Sequence, residues 1–431
     1  MDIKTLDTTK TCECGRLHSC VTEIISIGEN QTEPLFEYIA KTFGSGKKGG
    51  IVCDQNTYEA AKGMIDQANK FGCKTIKLNI KSFHADEFMV EDLKSAIEGQ
   101  SFDYFIAAGA GTLHDITRIV SHERNVPFVS YSTAPSVDGF VSGIVPITSK
   151  SGMKLTLYGT PPVALFADTA VLAAAPKRLV AAGAGDMLAK YIALADWQIA
   201  SLLSGEYICP PTLGLVYGAV ERTRASLAAY ESDKSGESYK NLCAELLGGL
   251  VSSGLCMQYI GNSRPASGAE HHIAHFFEMG VILSTDCLHG ENVGVGSALC
   301  AGLYHRFAGA KNIEFVENYE MDEMEHGLLK KYYANLYEDI LKENEPNSIK
   351  AVGSDNFYGN IENIKSIIAT IPTAEKLSEL LDILGGAKDI CDIGAYNLKC
   401  EEAEILPLTL KLAPYVRDRL TLLKLMRCVK F

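Results

Sequence analysis

The 431-residue chain is short of base: 40 Lys+Arg stand against 53 Asp+Glu, a formal net charge of −13. Binding an extended nucleic-acid backbone takes clustered excess Lys and Arg, so that class of partner is excluded. Anionic small molecules are not excluded, because a helix N-terminus and a few local donors can hold a phosphate inside an acidic protein. No stretch approaches the ~20 apolar residues of a membrane span. The start, MDIKTLDTTKTCECG, lacks a basic segment followed by an apolar core and does not read as a secretory signal. Internal repeats and low-complexity segments are missing as well. The thirteen cysteines are odd in number and scattered, and Cys53, Cys256 and Cys300 sit in apolar runs. That pattern suits reduced, buried thiols rather than a disulfide framework, and the expected location is cytoplasmic.

What is present is ordinary globular material, 47% hydrophobic and 22% charged, of a length that suggests two or three domains. Ile51-Val52-Cys53 reads as a strand ending at Asp54, and Thr57 to Phe71 as a helix closed by Gly72. Thr75–Ile80, Tyr104–Ala108, Phe128–Tyr131 and Val163–Ala167 are also strand-like, with helical patterns between several of them. Alternation of this kind predicts a mainly parallel sheet covered on both faces. Ile144 to Tyr158, with Ser149-Lys150-Ser151-Gly152 in its middle, reads as a hairpin attached to that layer. Beyond Pro176 helical patterns take over, at 177–203, 212–230, 239–260, 266–283, 291–307, 322–342, 373–384 and 402–426. The expected organisation is an α/β nucleotide-binding domain over residues 1–175 and an all-α metal-binding and substrate domain over 176–431, with a ligand cleft between them.

Two loops suit a nucleotide. The strand Tyr104–Ala108 runs into Gly109-Ala110-Gly111-Thr112, where backbone N–H groups and a helix N-terminus can approach a pyrophosphate; a plain tight turn is the alternative. The third glycine of a Rossmann fingerprint is replaced by His114, and the turn does not follow the first strand. Ser132-Thr133-Ala134-Pro135-Ser136-Val137-Asp138-Gly139 offers hydroxyls and a carboxylate to ribose, amide or substrate, or else satisfies its own backbone.

Three further segments can converge on a metal. Gly183-Ala184-Gly185-Asp186 puts a carboxylate in an apolar helix, where it needs a cation or a donor. In Glu270-His271-His272-Ile273-Ala274-His275 the residues His271 and His275 share one helix face. His289 stands at the mouth of the next helix. One carboxylate and two imidazoles suit Zn²⁺, Ni²⁺ or Fe²⁺ with positions left open for substrate. Cys12-x-Cys14-Gly15-x-x-His18, followed by Cys20, offers a second zinc clip but has no matching downstream pair, and otherwise reads as an N-terminal turn.

Taken in order, GAGTLHD, STAPSVDG, AGAGD, SGAEHHIAH and LHGENVGVG resemble the glycerol-1-phosphate dehydrogenases, within the superfamily of iron-type alcohol dehydrogenases, glycerol dehydrogenases and dehydroquinate synthases. Tyr415-Val416-Arg417-Asp418-Arg419 also fits. The resemblance implies a dehydroquinate synthase-like fold and metal ligands Asp186, His271 and His289, with Zn²⁺ or Ni²⁺ as the metal. It implies a cofactor, NAD(H) or NADP(H), held by Gly109, Ala110, Gly111, Thr112 and Asp115, with Thr133, Ser136 and Ser142 toward the nicotinamide and Asp54 at the adenosine ribose. It places Asp138 and His275 on the substrate, dihydroxyacetone phosphate or glycerol 1-phosphate, with Asp186, His275 and Asp138 as the catalytic set. Ser263 and Arg264, at the start of the metal-bearing helix, are expected to take the substrate phosphate. Two departures stand out, Ala110 in place of a glycine and Arg118 where Lys is common.

The implied reaction is reversible hydride transfer, and the expected assembly a homodimer or larger homo-oligomer. Rival readings are a glycerol (polyol) dehydrogenase on unphosphorylated substrate, an inert nucleotide-binding scaffold, and a dehydroquinate synthase-like lyase. The last shares the spacing of His271, His275 and Glu278 but uses Glu where this chain has Asp186, and a lysine-lined pocket where the His motifs here lack lysine.

Overall fold

The computed structural model describes residues 3, 5–80 and 82–431; Met1, Asp2 and Lys4 of the N-terminal stretch lie outside the described residues. Among the described residues eight strands precede residue 169: β1 (Ile24–Gly28), β2 (Gly49–Cys53), β3 (Lys74–Lys77), β4 (Tyr104–Gly109), β5 (Phe128–Ser132), β6 (Ile144–Thr148), β7 (Lys154–Tyr158) and β8 (Ala164–Asp168). Six of them form one parallel sheet in the order β1-β8-β5-β4-β2-β3, and β6 and β7 pair antiparallel as a separate hairpin. The continuous apolar runs of β2, β4 and β5 are what a sheet covered on both faces requires. Ile51, Cys53, Ile106, Val129 and Phe166 pack on one side with helices Thr32–Phe43 and Lys62–Lys70. Val52, Phe105, Ala107 and Phe128 pack on the other, beneath helices Glu87–Ala96 and Gly111–Arg124 and the hairpin.

From Thr169 onward the described chain is helical except for Glu314–Phe315 and Val429–Lys430, which pair antiparallel. No helix among the described residues is long and apolar enough to cross a membrane. The segment before β1 packs on the helical part: the Leu6 and Val21 N–H groups donate to Tyr259 and Gln258.

Several expected boundaries move. β1 escapes the sequence pattern because it is an edge strand with only Ile27 fully buried. The helix expected at 57–71 is broken at Ala61, and the one at 402–426 is split into helix Ile405–Leu412 and short turns at and beyond Pro414, which cannot donate to the helical ladder. The run 322–342 is interrupted where Ala334 takes a φ of +48°.

Helix Lys177–Leu188 runs unusually close to its neighbours. A Cβ on Gly183 would lie 1.8 Å from the Pro135 carbonyl oxygen, and one on Gly290, in the first turn of helix His289–Gly309, 1.9 Å from that of Ala182. Only glycine lets these backbones touch. Gly290→Ala is expected to cost about 3 kcal/mol or more by overpacking against backbone that cannot yield. Gly214→Ala, whose added Cβ meets nothing within 4 Å, should stay within about 1 kcal/mol of the parent. Denaturation midpoints measure both, and equal midpoints would refute the close approach.

Candidate active site

β2 sends the chain toward β3 at one edge of the sheet, whereas β4 sends it toward β5 on the other side, so the loops after β2 and β4 part at the junction of these paired strands. Ligands of open α/β sheets bind in that crevice, outside the carboxyl ends of the strands. Gly109 at the end of β4 is paired with Ser132 at the end of β5, so the glycine turn and the Thr133–Gly139 loop lie side by side. Beyond them opens a cleft, closed on its far side by the helical part.

Gly111, Thr112, Asp115 and Ser142 line the cleft from the sheet side. Gly109, Ala110, Thr133 and Ser136 are not among its lining residues, and Asp54 caps helix Gln55–Ala60 by accepting the Thr57 N–H at 2.8 Å. Ala110 adopts φ −93°, ψ −171°, extended backbone open to any residue, so the missing glycine does not distort the turn. His114, in place of the third glycine, is wholly buried and joins the Ala110 carbonyl at 2.9 Å to the Ser130 hydroxyl at 2.7 Å. Arg118 donates to Asp115 at 2.7 Å and to the Gly139 and Phe140 carbonyls, tying the glycine-turn helix to the loop after β5. Burial pushes the Asp115 carboxyl up to about 6 despite that guanidinium.

Asp186, His271 and His289 come together with one ligand atom of each within 4.8 Å of the others. Asp186 is fully buried: its Oδ2 accepts the Asp138 N–H at 2.9 Å and its Oδ1 accepts from Lys190 Nζ at 2.7 Å. The same ammonium lies 2.7 Å from Asp138 Oδ2 and donates to the Ala266 carbonyl at 2.9 Å. The fully buried Asp186 and the partly buried Asp138 therefore share one ammonium, and the remaining negative charge suits a cation. Burial, reinforced by Asp186, pushes the Asp138 carboxyl up. Burial and then Lys190 hold His271 well below the usual imidazole range, neutral as a ligand must be.

The imidazoles of His271 and His289 are aimed by carboxylates behind them. His271 Nδ1 is 2.7 Å from Glu270 Oε1, and His289 Nδ1 is 2.7 Å from Glu278 Oε1, which leaves Nε2 of each without a hydrogen-bond partner among the described residues. An acid behind each ligating histidine fixes its tautomer and direction, a usual arrangement in metal sites. His275, Glu278 and His289 make a second group of close ligand atoms, but Glu278 is already saturated. It takes His289 at 2.7 Å, His275 Nδ1 at 3.1 Å and Lys154 Nζ at 2.9 Å. Burial alone would raise Glu278, yet Lys154 with His84 and His289 outweighs it and holds the carboxyl well below its ordinary value. Burial brings His275 down to about 4, against the pull of Glu278.

The structure corrects two expectations. Arg264 does not reach the cleft: its guanidinium is paired with Glu206, Nε at 2.6 Å, and donates to the Leu420 carbonyl at 2.9 Å. The arginine that does line the cleft is Arg417, beside Ser263 and Ser267, while Arg419 holds that loop through the Ser267 carbonyl at 2.6 Å and Ser263 Oγ at 2.8 Å. Nor is the site free of lysine, since Lys190 and Lys154 arrive from elements far from the His motifs. The hairpin is not a mere attachment to the sheet: Lys154 and Thr156 of β7 line the cleft, and Thr156 accepts from Arg417.

The family model described as iron-containing alcohol dehydrogenase matches residues 26–176. A Bacillus licheniformis protein named glycerol-1-phosphate dehydrogenase (NAD(P)+) is 38% identical over 306 residues, 69% of this chain and 75% of its own. A protein of the same name in Halalkalibacterium halodurans is 34% identical over 427 residues, 96% of this chain and 94% of its own. The chain belongs to the glycerol-1-phosphate dehydrogenase family. A solved 1,3-propanediol oxidoreductase has the same fold, with a TM-score of 0.60 at 16% identity over 96% of this chain and 99% of its own.

In this member of the glycerol-1-phosphate dehydrogenase family the helix that carries His271 and His275, Ala269–Glu278, is anchored by Asp196. The fully buried carboxylate accepts the N–H of Ala269 and of Leu422, each at 2.8 Å, and the Tyr304 hydroxyl at 2.9 Å. Burial nevertheless pushes its pKa up to about 6. Between the ordinary carboxylate value near 4 and about 6 the folded protein keeps a proton that the unfolded chain has released. This group's contribution to stability is therefore full below pH ~4 and is lost as pH rises through ~6, by about 2 to 3 kcal/mol. Thermal midpoints across pH 4–7 should fall less steeply for Asp196→Asn than for the parent; parallel curves would show that Asp196 does not titrate in that window.

Proposed function

We propose that this protein reversibly reduces dihydroxyacetone phosphate to sn-glycerol 1-phosphate with NADH or NADPH and one divalent metal, Zn²⁺ or Ni²⁺, held by Asp186, His271 and His289. The observation that carries the reading is the convergence of those three side chains, of which His271 and His289 line a cleft that Gly111, Thr112 and Val137 to Gly139 also line. On this reading the α/β layer to residue 175 holds the nucleotide, and the helical part from 176 holds metal and substrate. The bound metal supplies Lewis acidity toward the substrate carbonyl, and the nicotinamide supplies the hydride.

The chain's own groups orient, insulate and move the proton. The N-terminus of helix Gly111–Arg124 meets the cofactor pyrophosphate, with Asp115 and Ser142 beside it. Thr133 and Ser136 support the nicotinamide end from behind the cleft, and Asp54 meets the adenosine ribose after β2. Asp138, held by Lys190 and by the Ser253 hydroxyl at 3.0 Å, orients the substrate hydroxyls. His275 gives its Nδ1–H to Glu278, so its other nitrogen carries a lone pair. It takes the alcohol proton in the oxidative direction and returns it in the reductive one. The phosphate is assigned to Arg417 with Ser263, and Arg264 to holding the loop in place.

NADH oxidation with dihydroxyacetone phosphate, followed after chelation and re-addition of each metal, tests the reaction, with chirality assigned on the product. Activity that survives chelation, or equal kcat/KM for unphosphorylated dihydroxyacetone, would overturn it. A charged hydrogen bond is worth about 1.5–3 kcal/mol. Arg417→Ala should therefore raise KM for dihydroxyacetone phosphate by about tenfold or more, while its effect on unphosphorylated dihydroxyacetone stays small. An unchanged KM would remove Arg417 from the phosphate site.

A further inference from the structure

Outside the residues that line the cleft, Cys12, Cys14 and His18 of the N-terminal turn meet Cys209, which immediately precedes helix Pro210–Asp233. Cys12 Sγ lies 3.9 Å from Cys209 Sγ, Cys14 Sγ 3.3 Å from His18 Nε2, and Cys209 Sγ 3.4 Å from the same nitrogen. All four ligand atoms lie within 4.8 Å of one another. A tetrahedral zinc with Zn–S near 2.3 Å and Zn–N near 2.0 Å has S···S edges of about 3.8 Å and S···N edges of about 3.5 Å. The three contacts are close to the edges of that tetrahedron. They are too long for a disulfide, whose sulfurs stand about 2.05 Å apart.

The surroundings also suit a metal. His18 is 5% exposed, and its Nδ1 lies 2.8 Å from the Tyr259 carbonyl oxygen. A carbonyl can only accept, so the proton is on Nδ1 and the Nε2 lone pair faces the sulfurs. Cys12 and Cys14 are set by a tight turn in which the Gly15 N–H donates to the Cys12 carbonyl at 2.9 Å, with Gly15 at φ +83°. The Tyr207 hydroxyl donates to Cys14 Sγ at 3.0 Å, and the Thr212 hydroxyl to Cys209 Sγ at 3.2 Å. The Arg16 guanidinium lies 3.4 Å above the Tyr207 ring, placing positive charge near a ligand set that is anionic overall. Cys20 takes no part, since its thiol donates to Thr22 and Gln258 instead.

We propose that Cys12, Cys14, His18 and Cys209 bind a structural zinc ion that clamps the N-terminal segment onto the helical part. Four protein ligands leave no open position, so the site holds structure and takes no substrate.

Metal analysis and cobalt exchange of the full-length protein test the proposal. Cys209→Ser and His18→Ala should each lose one equivalent of zinc, and His289→Ala should retain that equivalent. The cobalt(II)-exchanged parent should show thiolate-to-cobalt charge-transfer absorption, which the cleft's nitrogen and oxygen ligands cannot produce. That absorption should persist in His289→Ala and vanish in Cys209→Ser. Parental zinc content in Cys209→Ser, or no thiolate band in cobalt-exchanged parent, would overturn the proposal. So would a disulfide from Cys209 to Cys12 or Cys14 in non-reducing mass spectra. Should Cys209→Ser fail to fold, the cobalt spectrum of the parent decides alone.

Discussion

Everything at the candidate active site depends on how closely three backbones approach. Gly183 lies under the Pro135 carbonyl, Gly290 under that of Ala182, and Gly185 under that of Gly290, each at a distance that excludes a Cβ. With any larger residue the helix ends would stand apart. Asp186 Oδ2 would then lose the Asp138 N–H, and His289 would leave the neighbourhood of Asp186 and His271. The glycines of AGAGD and HGEN are thus packing residues with a chemical consequence: they let one carboxylate face both the nucleotide-side loop and the two imidazoles.

Close approach in turn puts several charges where water cannot screen them. Asp138, Asp186 and Lys190 form one buried group, and Glu278, Lys154 and the surrounding histidines another. Buried ion pairs are poor sources of stability, because desolvation offsets most of the attraction. Their value here lies in direction. Lys190 holds two carboxylates at once, and Glu278 orients His275 and His289 through the nitrogen each turns away from its partner. The two groups carry opposite tasks: the first is short of positive charge, whereas the second is saturated by it.

The order of strands and helices was largely legible because continuous apolar runs and helical periodicity are local signals. The three segments that bring Asp186, His271 and His289 together were legible for the same reason, each being a short motif of unusual composition. Contacts between distant segments were not. Lys190 lies inside a long apolar pattern, Lys154 on a hairpin that looked peripheral, and Arg417 near the C-terminus, so nothing in their own neighbourhoods points to the cleft. Arg264 shows the converse. Its position before the metal-bearing helix suits an anion, but Glu206, 58 residues away, claims its guanidinium. The same blindness applied to Cys209, separated by 191 residues from His18, without which the N-terminal turn holds three ligands rather than four.

Those distant contacts also explain how the sheet layer and the helical part are held in register. From the sheet side Asp138 bonds directly to helices Lys177–Leu188 and Lys190–Ser204, through its N–H to Asp186 and its carboxylate to Lys190. Lys154 and Thr156 do the same from the hairpin, reaching Glu278 and Arg417. A ligand that spans the cleft, nucleotide on one wall and small phosphorylated substrate on the other, meets walls already joined by buried polar contacts. Large hinge closure would have to break at least the Asp138–Lys190 and Lys154–Glu278 pairs, and parting the buried Lys154 from its carboxylate alone costs about 3–5 kcal/mol. The geometry therefore favours a preorganised cleft, in which orientation is supplied by the folded chain before substrate arrives rather than by binding energy afterwards.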